Sequence, residues 1–149
     1  MPRTISERIE FSGAGLHSGE LSKVTVGPSR EEGIYFSTEN GLYPISSAHV
    51  EEKNRLTGSR LPDGTVVRTA EHLLAAIAGL DIDSAVIALE GEEVPILDGS
   101  PYPFAIALYG AGIVEFGEPA KKRTIHTPIA IDDITGDRSI MALPSERLM

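Results

Sequence analysis

Apolar and polar residues alternate along much of the first half of the chain, which is the pattern of strands half-buried in a sheet. A continuous apolar run at residues 84–91 instead predicts a strand that is well buried. Asn40-Gly41 between two such segments is a strong signal for a two-residue hairpin turn, and Asp63-Gly64 marks another turn before "TVVRT". The predicted strands are residues 3–11, 21–26, 33–38, 42–46 and 84–91, with an ambiguous strand in "NRLTGSRL" (54–61).

Two segments are predicted to be helical. The first covers residues 70–79 and is expected to end at Gly79, because glycine tolerates the left-handed conformation that follows many helices. The second covers 101–110, with Asp98 or Ser100 capping its start and prolines in its first turn. Strands gathered before and around two helices predict an α+β fold: a two-layer sandwich of a mostly antiparallel sheet with two helices on one face.

The polar segment "GEPAKKR" at 117–123 predicts a boundary between a first domain, 1–117, and a second segment, 118–149. Within the latter, "RTIHTPIAI" (123–131) echoes the opening "RTISERIEF", which suggests a second unit of similar design. The final "SIMALPSERLM" has the pattern of that unit's second strand, and a lone two-stranded ribbon is marginal in water. We therefore interpret 118–149 as a linker and the first strands of an incomplete second domain.

Composition narrows the possible functions. The formal net charge of -9 argues against nucleic acid or an anionic membrane as the main partner. No apolar run approaches membrane-spanning length, and the opening residues lack the apolar core of a signal peptide. The chain has no cysteine, so any metal would need His, Asp or Glu as ligands. These features are compatible with the cytoplasm, which is the predicted location.

Glu71 and His72 lie together in the first turn of the first predicted helix. At about 100° per residue, His72 is roughly 150° from the centre of the helix's apolar stripe. That stripe consists of Ala70, Leu73, Leu74 and Ile77. Small residues surround His72 on the far side: Ala75, Ala76 and Gly79. Small uncharged neighbours suggest that a second surface or a substrate approaches here. The residues alone leave two interpretations, an exposed pair at a helix start or half of a metal site in which Glu71 takes a proton from metal-bound water.

Three linked motifs change the weight of those interpretations: "GAGLHSGE", "TAEHLLAAIAGLDID" and "EVPILDGSPYPF". From about residue 3 to the end, their order and spacing resemble the UDP-3-O-acyl-N-acetylglucosamine deacetylase family (LpxC). Its members are zinc hydrolases that commit Gram-negative bacteria to lipid A synthesis. The resemblance implies that His72 is a zinc ligand and that Glu71 is the general base. Together they would remove the N-acetyl group of the glucosamine, leaving a free amine and acetate.

Other residues correspond to the family less directly. "GLHSG" matches the family's Gly-Leu-His-Thr-Gly, with Ser18 in place of Thr, and implies that His17 lies near the active site. The alternative for His17 is a solvated histidine on a glycine-rich loop. Asp98 matches a family signature, yet a helix cap explains it without a catalytic role. His49 and His126 match no motif and are expected to be structural or solvent-facing.

The resemblance also implies partners, namely an acylated UDP-sugar substrate and a C-terminal domain that encloses the zinc with this one. The family's other two zinc ligands, a His and an Asp on a later helix, have no counterpart here, whereas a catalytic zinc normally has three protein ligands. The chain is therefore expected to be inactive by itself. A competing hypothesis is a non-catalytic interaction module built on the same α+β unit. A homodimeric hydrolase is disfavoured, because two-fold symmetry duplicates one ligand set without adding new ligands.

Overall fold

Strands provide most of the regular structure in the computed structural model, which describes residues 1–53, 56–118, 124–133 and 135–145. The strands are β1 (Arg3–Ile5), β2 (Ile9–Ala14), β3 (Leu21–Pro28), β4 (Gly33–Thr38), β5 (Gly41–Pro44), β6 (His49–Lys53), β7 (Leu56–Arg60), β8 (Val66–Arg68), β9 (Ser84–Glu90), β10 (Ile113–Glu115), β11 (Ile129–Asp132) and β12 (Ser139–Ala142). The helices are α1 (Glu71–Gly79) and α2 (Tyr102–Gly110), with a 3₁₀ turn at Ile45–Ser47. The chain divides into two compact units, Met1–Pro119 and Ala120–Met149.

The first unit is built on a five-stranded sheet with the order β2-β3-β9-β4-β5. Its pairings are antiparallel except for β4 and β9, which run parallel. A three-stranded antiparallel sheet, β6-β7-β8, and the antiparallel pair β1-β10 complete the unit. The predicted α+β class with a mostly antiparallel sheet is thus confirmed.

The core of this unit lies between the five-stranded sheet and the two helices. The ring of Phe11 on β2 meets that of Phe104 on α2 edge to face, with 4.8 Å between centroids. α1 also packs against α2. Fully burying one large aliphatic or aromatic side chain stabilises the folded state by about 2 kcal/mol. The core side chains that join the two layers include Val24, Val26, Phe36 and Ile87 from the sheet and Leu73, Ile77, Phe104 and Leu108 from the helices.

The predicted single strand at residues 3–11 is wrong, because the segment forms two strands in different sheets. β1 pairs with β10, whereas β2 pairs with β3. Between them Ser6, Glu7 and Arg8 are all exposed, and the N–H of Ser6 donates to the carbonyl of Gly112 at 2.8 Å. Three consecutive polar residues let the chain cross solvent between sheets, a break that alternation alone does not reveal.

The hairpin predicted at Asn40-Gly41 is present, but its turn lies one residue earlier. Thr38 pairs with Gly41, so Glu39 and Asn40 are the central residues. The hydroxyl of Thr38 accepts the N–H of Asn40 at 3.1 Å and donates to Asp63 at 2.7 Å. This contact ties the hairpin to a distant turn, and a long-range contact of that kind is not visible in the local sequence pattern.

The sequence pattern predicted the second turn, but it missed several strands and left one strand ambiguous. The turn predicted at Asp63-Gly64 is confirmed: Gly64 has φ 89° and its N–H donates to the carbonyl of Leu61. The ambiguous segment is β7. The sequence did not predict β6, β8 or β10, which are short strands without clear alternation.

The left-handed residue that follows α1 lies two residues after Gly79, the position predicted for it. Gly79 is the last helical residue, and the left-handed residue is Asp81, with φ 51°. The N–H of Ile82 donates to the carbonyl of Ile77 at 3.1 Å, and that of Asp81 donates to Ala78 at 3.0 Å. This is the Schellman pattern, and burial of both isoleucines holds it in place. The prediction of a left-handed Gly79 is therefore wrong.

α2 begins at Tyr102, one residue after the predicted start, and is held by the local hydroxyl that the sequence indicated. The N–H of Tyr102 donates to the Ser100 hydroxyl at 3.2 Å. Asp98 in turn accepts both the N–H and the hydroxyl of Ser100, at 2.9 and 2.8 Å. Ser100 therefore contacts the helix start directly, and Asp98 holds Ser100.

The second unit contains the antiparallel hairpin β11-β12. Its turn is closed by the N–H of Asp133, which donates to the carbonyl of Arg138 at 2.9 Å. The apolar side chains of Ile129, Ile131 and Ile140 on the hairpin are exposed.

The second unit tests only part of what the sequence predicted for it. His126, expected to be structural or solvent-facing, precedes β11 outside regular structure and is exposed. The boundary after residue 117 and the interpretation of 118–149 as the start of a domain stay predictions. Residues 119–123 and 146–149, on which part of that interpretation depends, lie outside the described residues.

Candidate active site

The first turn of α1 carries the Glu-His pair. Glu71 is the first helical residue and is exposed, a position where an acidic side chain interacts favourably with the helix dipole. His72 follows and is half-buried, whereas Leu73 is fully buried in the core. Ala70 precedes the helix and offers no side-chain cap. The side chains of Glu71 and His72 make no hydrogen bond or ion pair within the described part of the chain.

The small residues of α1 divide between surface and core. Ala75, Ala78 and Gly79 are exposed, which leaves a surface of small side chains beside the pair. Ala76 is 3% exposed and belongs to the core, so its expected place on the uncovered face is wrong. Since α1 packs against α2, the covered arc of the helix is wider than its apolar stripe alone indicates.

The chain enters α1 through a constrained turn at Thr69. Thr69 has φ 54°, a left-handed conformation that a β-branched residue rarely adopts. Just before it, Arg68 forms a parallel β-bridge with Glu93. The N–H of Arg68 donates to the Glu92 carbonyl at 2.8 Å, and the carbonyl of Arg68 accepts the N–H of Val94 at 3.0 Å. Thr69 itself is buried, and its hydroxyl donates to Glu93 Oε1 at 2.8 Å.

Glu93 links two motifs that are far apart in sequence. Its carboxylate is buried, and Oε1 accepts the N–H of His17 at 3.0 Å as well as the Thr69 hydroxyl. Oε2 accepts the N–H of Ser18 at 2.9 Å. The loop containing His17 and the turn leading to Glu71 therefore meet on a single carboxylate.

Gly15 makes this approach possible. A Cβ at this position would lie 2.3 Å from Glu93 Oε2 and 2.4 Å from Ser18 Oγ, well inside van der Waals contact. The N–H of Gly15 donates to the Glu20 carbonyl at 2.9 Å, and its carbonyl accepts the N–H of Gly19 at 3.0 Å. The loop thus closes on itself and on the carboxylate, and it needs glycine to do so.

Glu93 is held in its charged form. Burial alone would raise its pKa, but hydrogen bonds from the N–H groups of Ser18 and His17 and from the hydroxyls of Ser18 and Thr69 lower the pKa to about 2. A buried charge is costly unless it is fully paired, and here several donors fill that need.

The histidines are distributed unequally around this network. The imidazole of His17 is exposed, and it is the backbone of His17 that Glu93 binds. His49 on β6 and His126 are exposed and join neither motif, in agreement with the sequence-based expectation. Sequence reasoning quoted the motif that contains Glu93 but assigned this acid no role. Glu92 beside it is the same residue type, so the sequence carries no signal that singles out Glu93.

No group of three or more His, Asp or Glu side chains among the described residues is placed to hold a metal ion. Two cavities lie at different distances from the motifs. One, of about 220 Å³, opens beside Ser18, Arg68 and Glu93, at the junction of the motifs. Another, of about 200 Å³, lies between the β4-β5 hairpin and β8 and contains none of the motif's reactive side chains.

Comparison with known proteins decides the family. A family model described as UDP-3-O-acyl N-acetylglycosamine deacetylase (LpxC) matches residues 2–149. The chain belongs to this family. The resemblance drawn from the three motifs is thus confirmed, and in this LpxC-family chain Glu93 joins all three of them in space.

Similar curated proteins carry the name UDP-3-O-acyl-N-acetylglucosamine deacetylase. The protein of Saccharophagus degradans is 39% identical over 149 residues, covering 97% of this chain and 48% of the relative. That of Lawsonia intracellularis is 40% identical over 148 residues, covering 95% and 47%. That of Shewanella baltica is 35% identical over 141 residues, covering 91% and 45%. The chain spans about half the length of these relatives.

Proposed function

We propose that this chain is the N-terminal part of a zinc-dependent deacetylase that removes the N-acetyl group from UDP-3-O-acyl-N-acetylglucosamine, the committed step of lipid A synthesis. In this proposal Glu71 is the general base and His72 is one zinc ligand. Family membership and the names of the relatives support the reaction class and the substrate. A cytoplasmic site of action is part of the proposal.

One observation carries the assignment to these residues. Glu71 and His72 stand side by side at the start of α1, with both side chains unpaired by the described residues and small residues next to them. An acid and an imidazole without structural partners are available for a substrate or a metal. The exposed Ala75 and Gly79 leave room for an approaching surface.

The described residues do not form a complete zinc site. A catalytic zinc normally has three protein ligands, and here His72 offers one imidazole without two further ligands beside it. The proposal therefore requires additional ligands from a C-terminal domain of the kind that the relatives' greater length would accommodate. Zinc, when bound, supplies a Lewis acid for an amide carbonyl.

Glu71 has the chemistry of the base in this hydrolysis. Its carboxylate would take a proton from the water whose oxygen attacks the acetyl carbon. The C–N bond then breaks as the leaving nitrogen takes up a proton, and the products are acetate and the free amine of the sugar. His17 is retained as a further residue of the active-site loop, with its imidazole exposed and its backbone fixed by Glu93. None of the helices in the described parts of the chain is long and apolar enough to cross a membrane.

The test measures acetate release from UDP-3-O-acyl-N-acetylglucosamine and bound zinc. The chain is assayed alone and together with the C-terminal half of the Saccharophagus degradans relative, added in trans or fused after Met149. We expect poor zinc binding and no turnover by the chain alone, and both properties in the completed protein. In the completed protein, Glu71→Gln should lower kcat by about 100-fold or more while zinc stays bound. His72→Ala should lose zinc.

Glu92→Gln provides the control, because Glu92 is an exposed acid that pairs with Arg68 and makes no hydrogen bond or ion pair with Glu71 or His72. It should keep both zinc and turnover. Full turnover and stoichiometric zinc in the chain alone would contradict the need for outside ligands. Retention of activity by both Glu71→Gln and His72→Ala would overturn the residue roles. Absence of turnover in the completed wild-type protein would favour a non-catalytic interaction module.

A further inference from the structure

Glu93 stands apart from the residues that the proposed reaction uses. It contacts neither Glu71 nor His72 by any hydrogen bond or ion pair, yet among the residues whose burial the structure describes it is the one charged residue that is buried. Its carboxylate binds the loop of His17 on one side and the turn before Glu71 on the other. A charge buried at the junction of two motif segments, rather than in the core, needs an explanation beyond packing.

We propose that Glu93 is a positioning residue that fixes the His17 loop and the start of α1 in one mutual arrangement, by holding the N–H groups of His17 and Ser18 and the hydroxyl of Thr69 on one carboxylate. This proposal rests on the proposed deacetylase function, since it concerns how Glu71 and His72 are placed for it.

The geometry requires a carboxylate rather than an amide. The N–H of His17 and the hydroxyl of Thr69 both point to Oε1, while the N–H of Ser18 points to Oε2. The N–H of His17 also makes a longer contact of 3.3 Å with Oε2. The N–H groups of His17 and Ser18 can only donate, so each needs an acceptor, and glutamine supplies only one oxygen. Its NH₂ group would face a donor at the other position. Glu93→Gln therefore breaks one side of the link while keeping the size of the side chain.

The effect reaches Glu71 and His72 through a short, stiff segment. Thr69 is two residues before Glu71, and it holds a left-handed φ of 54° that its own side chain does not favour. No side chain of the N-cap residue Ala70 holds the first turn of α1. The hydroxyl bond from Thr69 to Glu93 is thus the side-chain contact that sets where the helix begins.

The matched pair Glu93→Gln and Glu92→Gln tests the proposal in the completed protein. The two acids are neighbours, but the side chain of Glu92 is exposed and pairs with Arg68. Per folded molecule, we expect Glu93→Gln to lower kcat by about 10- to 100-fold, in the range found when the residues supporting a metal site are changed. KM should change by less than about threefold, because substrate contacts are kept. Glu92→Gln should match wild type in both constants.

A second measurement does not depend on activity. In ¹⁵N-correlated NMR spectra of the chain, Glu93→Gln should shift the amides of residues 15–20 and the signals of residues 69–73, including the His72 imidazole, and leave the remaining signals in place. Thr69→Val removes the same hydroxyl bond, so Glu93→Gln should have a smaller effect on the signals of 69–73 in that background than in wild type.

These results separate the two proposals. If the completed wild-type protein does not deacetylate the substrate, the proposed function fails, while the NMR comparison still decides the role of Glu93. Unchanged signals at 69–73 in Glu93→Gln, or a kcat equal to that of Glu92→Gln, would overturn the positioning role. Shifts throughout the chain would also overturn it in favour of a purely structural role. If Glu93→Gln does not fold, Thr69→Val carries the test: it must shift His17, Ser18 and His72 together.

Discussion

The first turns of the two helices are held by different kinds of contact. α1 and α2 each have nine residues, and in neither does the N-cap side chain bond to the first turn. α2 is held by Ser100 and Asp98, which lie within four residues of Tyr102. α1 is preceded by a turn whose anchor, Glu93, is 24 residues away from Thr69.

The difference corresponds to what each helix does. A local cap stabilises a helix wherever the helix is placed, and α2 contributes Phe104 and Leu108 to the core. A distant anchor also fixes the helix relative to another segment, in this case the His17 loop. α1 bears Glu71 and His72, the proposed base and zinc ligand, and in that proposal their placement relative to the loop matters more than helix stability. The helix that carries the proposed site residues is thus the one whose start is held by a long-range contact.

The largest predicted effect comes from closing the space that Gly15 leaves open. Gly15→Ala places a Cβ against both Glu93 Oε2 and Ser18 Oγ, so the loop and the carboxylate cannot both keep their positions. We expect the free energy of unfolding to fall by about 3 kcal/mol. Denaturant unfolding measures it. Gly13→Ala is the control, since its Cβ would meet its nearest neighbour at an ordinary 3.4 Å and should change stability little.

Removing the charge of Glu93, the distant anchor, should have the next largest effect on the free energy of unfolding. Glu93→Gln loses charge-assisted hydrogen bonds and leaves a buried N–H opposite a donor, which should cost about 2 kcal/mol. Glu92→Gln, whose exposed pair with Arg68 contributes little, should stay within about 0.5 kcal/mol of wild type. Equal losses in the two variants, measured by thermal or denaturant unfolding, would remove the distinction between anchor and surface acid.

The stability difference between wild type and Glu93→Gln should depend on pH. The folded-state pKa of Glu93, about 2, lies below its ordinary value of 4.5, so the ionised carboxylate stabilises the fold above the ordinary value. This contribution is lost as the pH falls from about 4.5 toward 2. Unfolding measured from pH 7 to 2.5 should show the two proteins converging in acid. Asp63, whose pKa is also lowered to about 2 by hydrogen bonds from Thr38 and Thr65, is present in both proteins and cancels in the difference. A stability difference between the two proteins that stays constant across this pH range would contradict the lowered pKa of Glu93.

The smallest effect is expected at the local cap. Ser100→Ala removes the acceptor for the Tyr102 N–H and should lower the free energy of unfolding by about 1 kcal/mol. The exposed Ser46→Ala serves as control and should have almost no effect. Because this cap does not touch the His17 loop, deacetylation by the completed protein should keep its wild-type kcat. A large loss of kcat would show that α2 also governs placement of the site.

Prediction from sequence succeeded where a signal was local. β4 was predicted with its observed limits, and the hydroxyl of Ser100 was identified before the structure placed it. It failed where contacts at a distance decide the outcome. The opening strand is divided between two sheets, and Ala76 is buried because α1 packs against α2.

The candidate site shows the same division. The Glu71-His72 pair at a helix start could be predicted, because motif order and helical spacing are sequence properties. The role of Glu93 could not, since its neighbour Glu92 is chemically identical and only one of the two is buried. A pattern of adjacent acids does not say which side chain turns inward.

The sequence by itself determined many of the helices and strands, the family motifs and the residue types available for chemistry, because periodicity, turn residues and side-chain identity act over a few neighbouring positions. Tertiary structure alone decided that Gly15, Thr69 and Glu93 meet, and thereby how the His17 loop and the start of α1 are joined. The physical reason is that a buried carboxylate must be paired with donors, and here the fold brings those donors together from segments more than 50 residues apart.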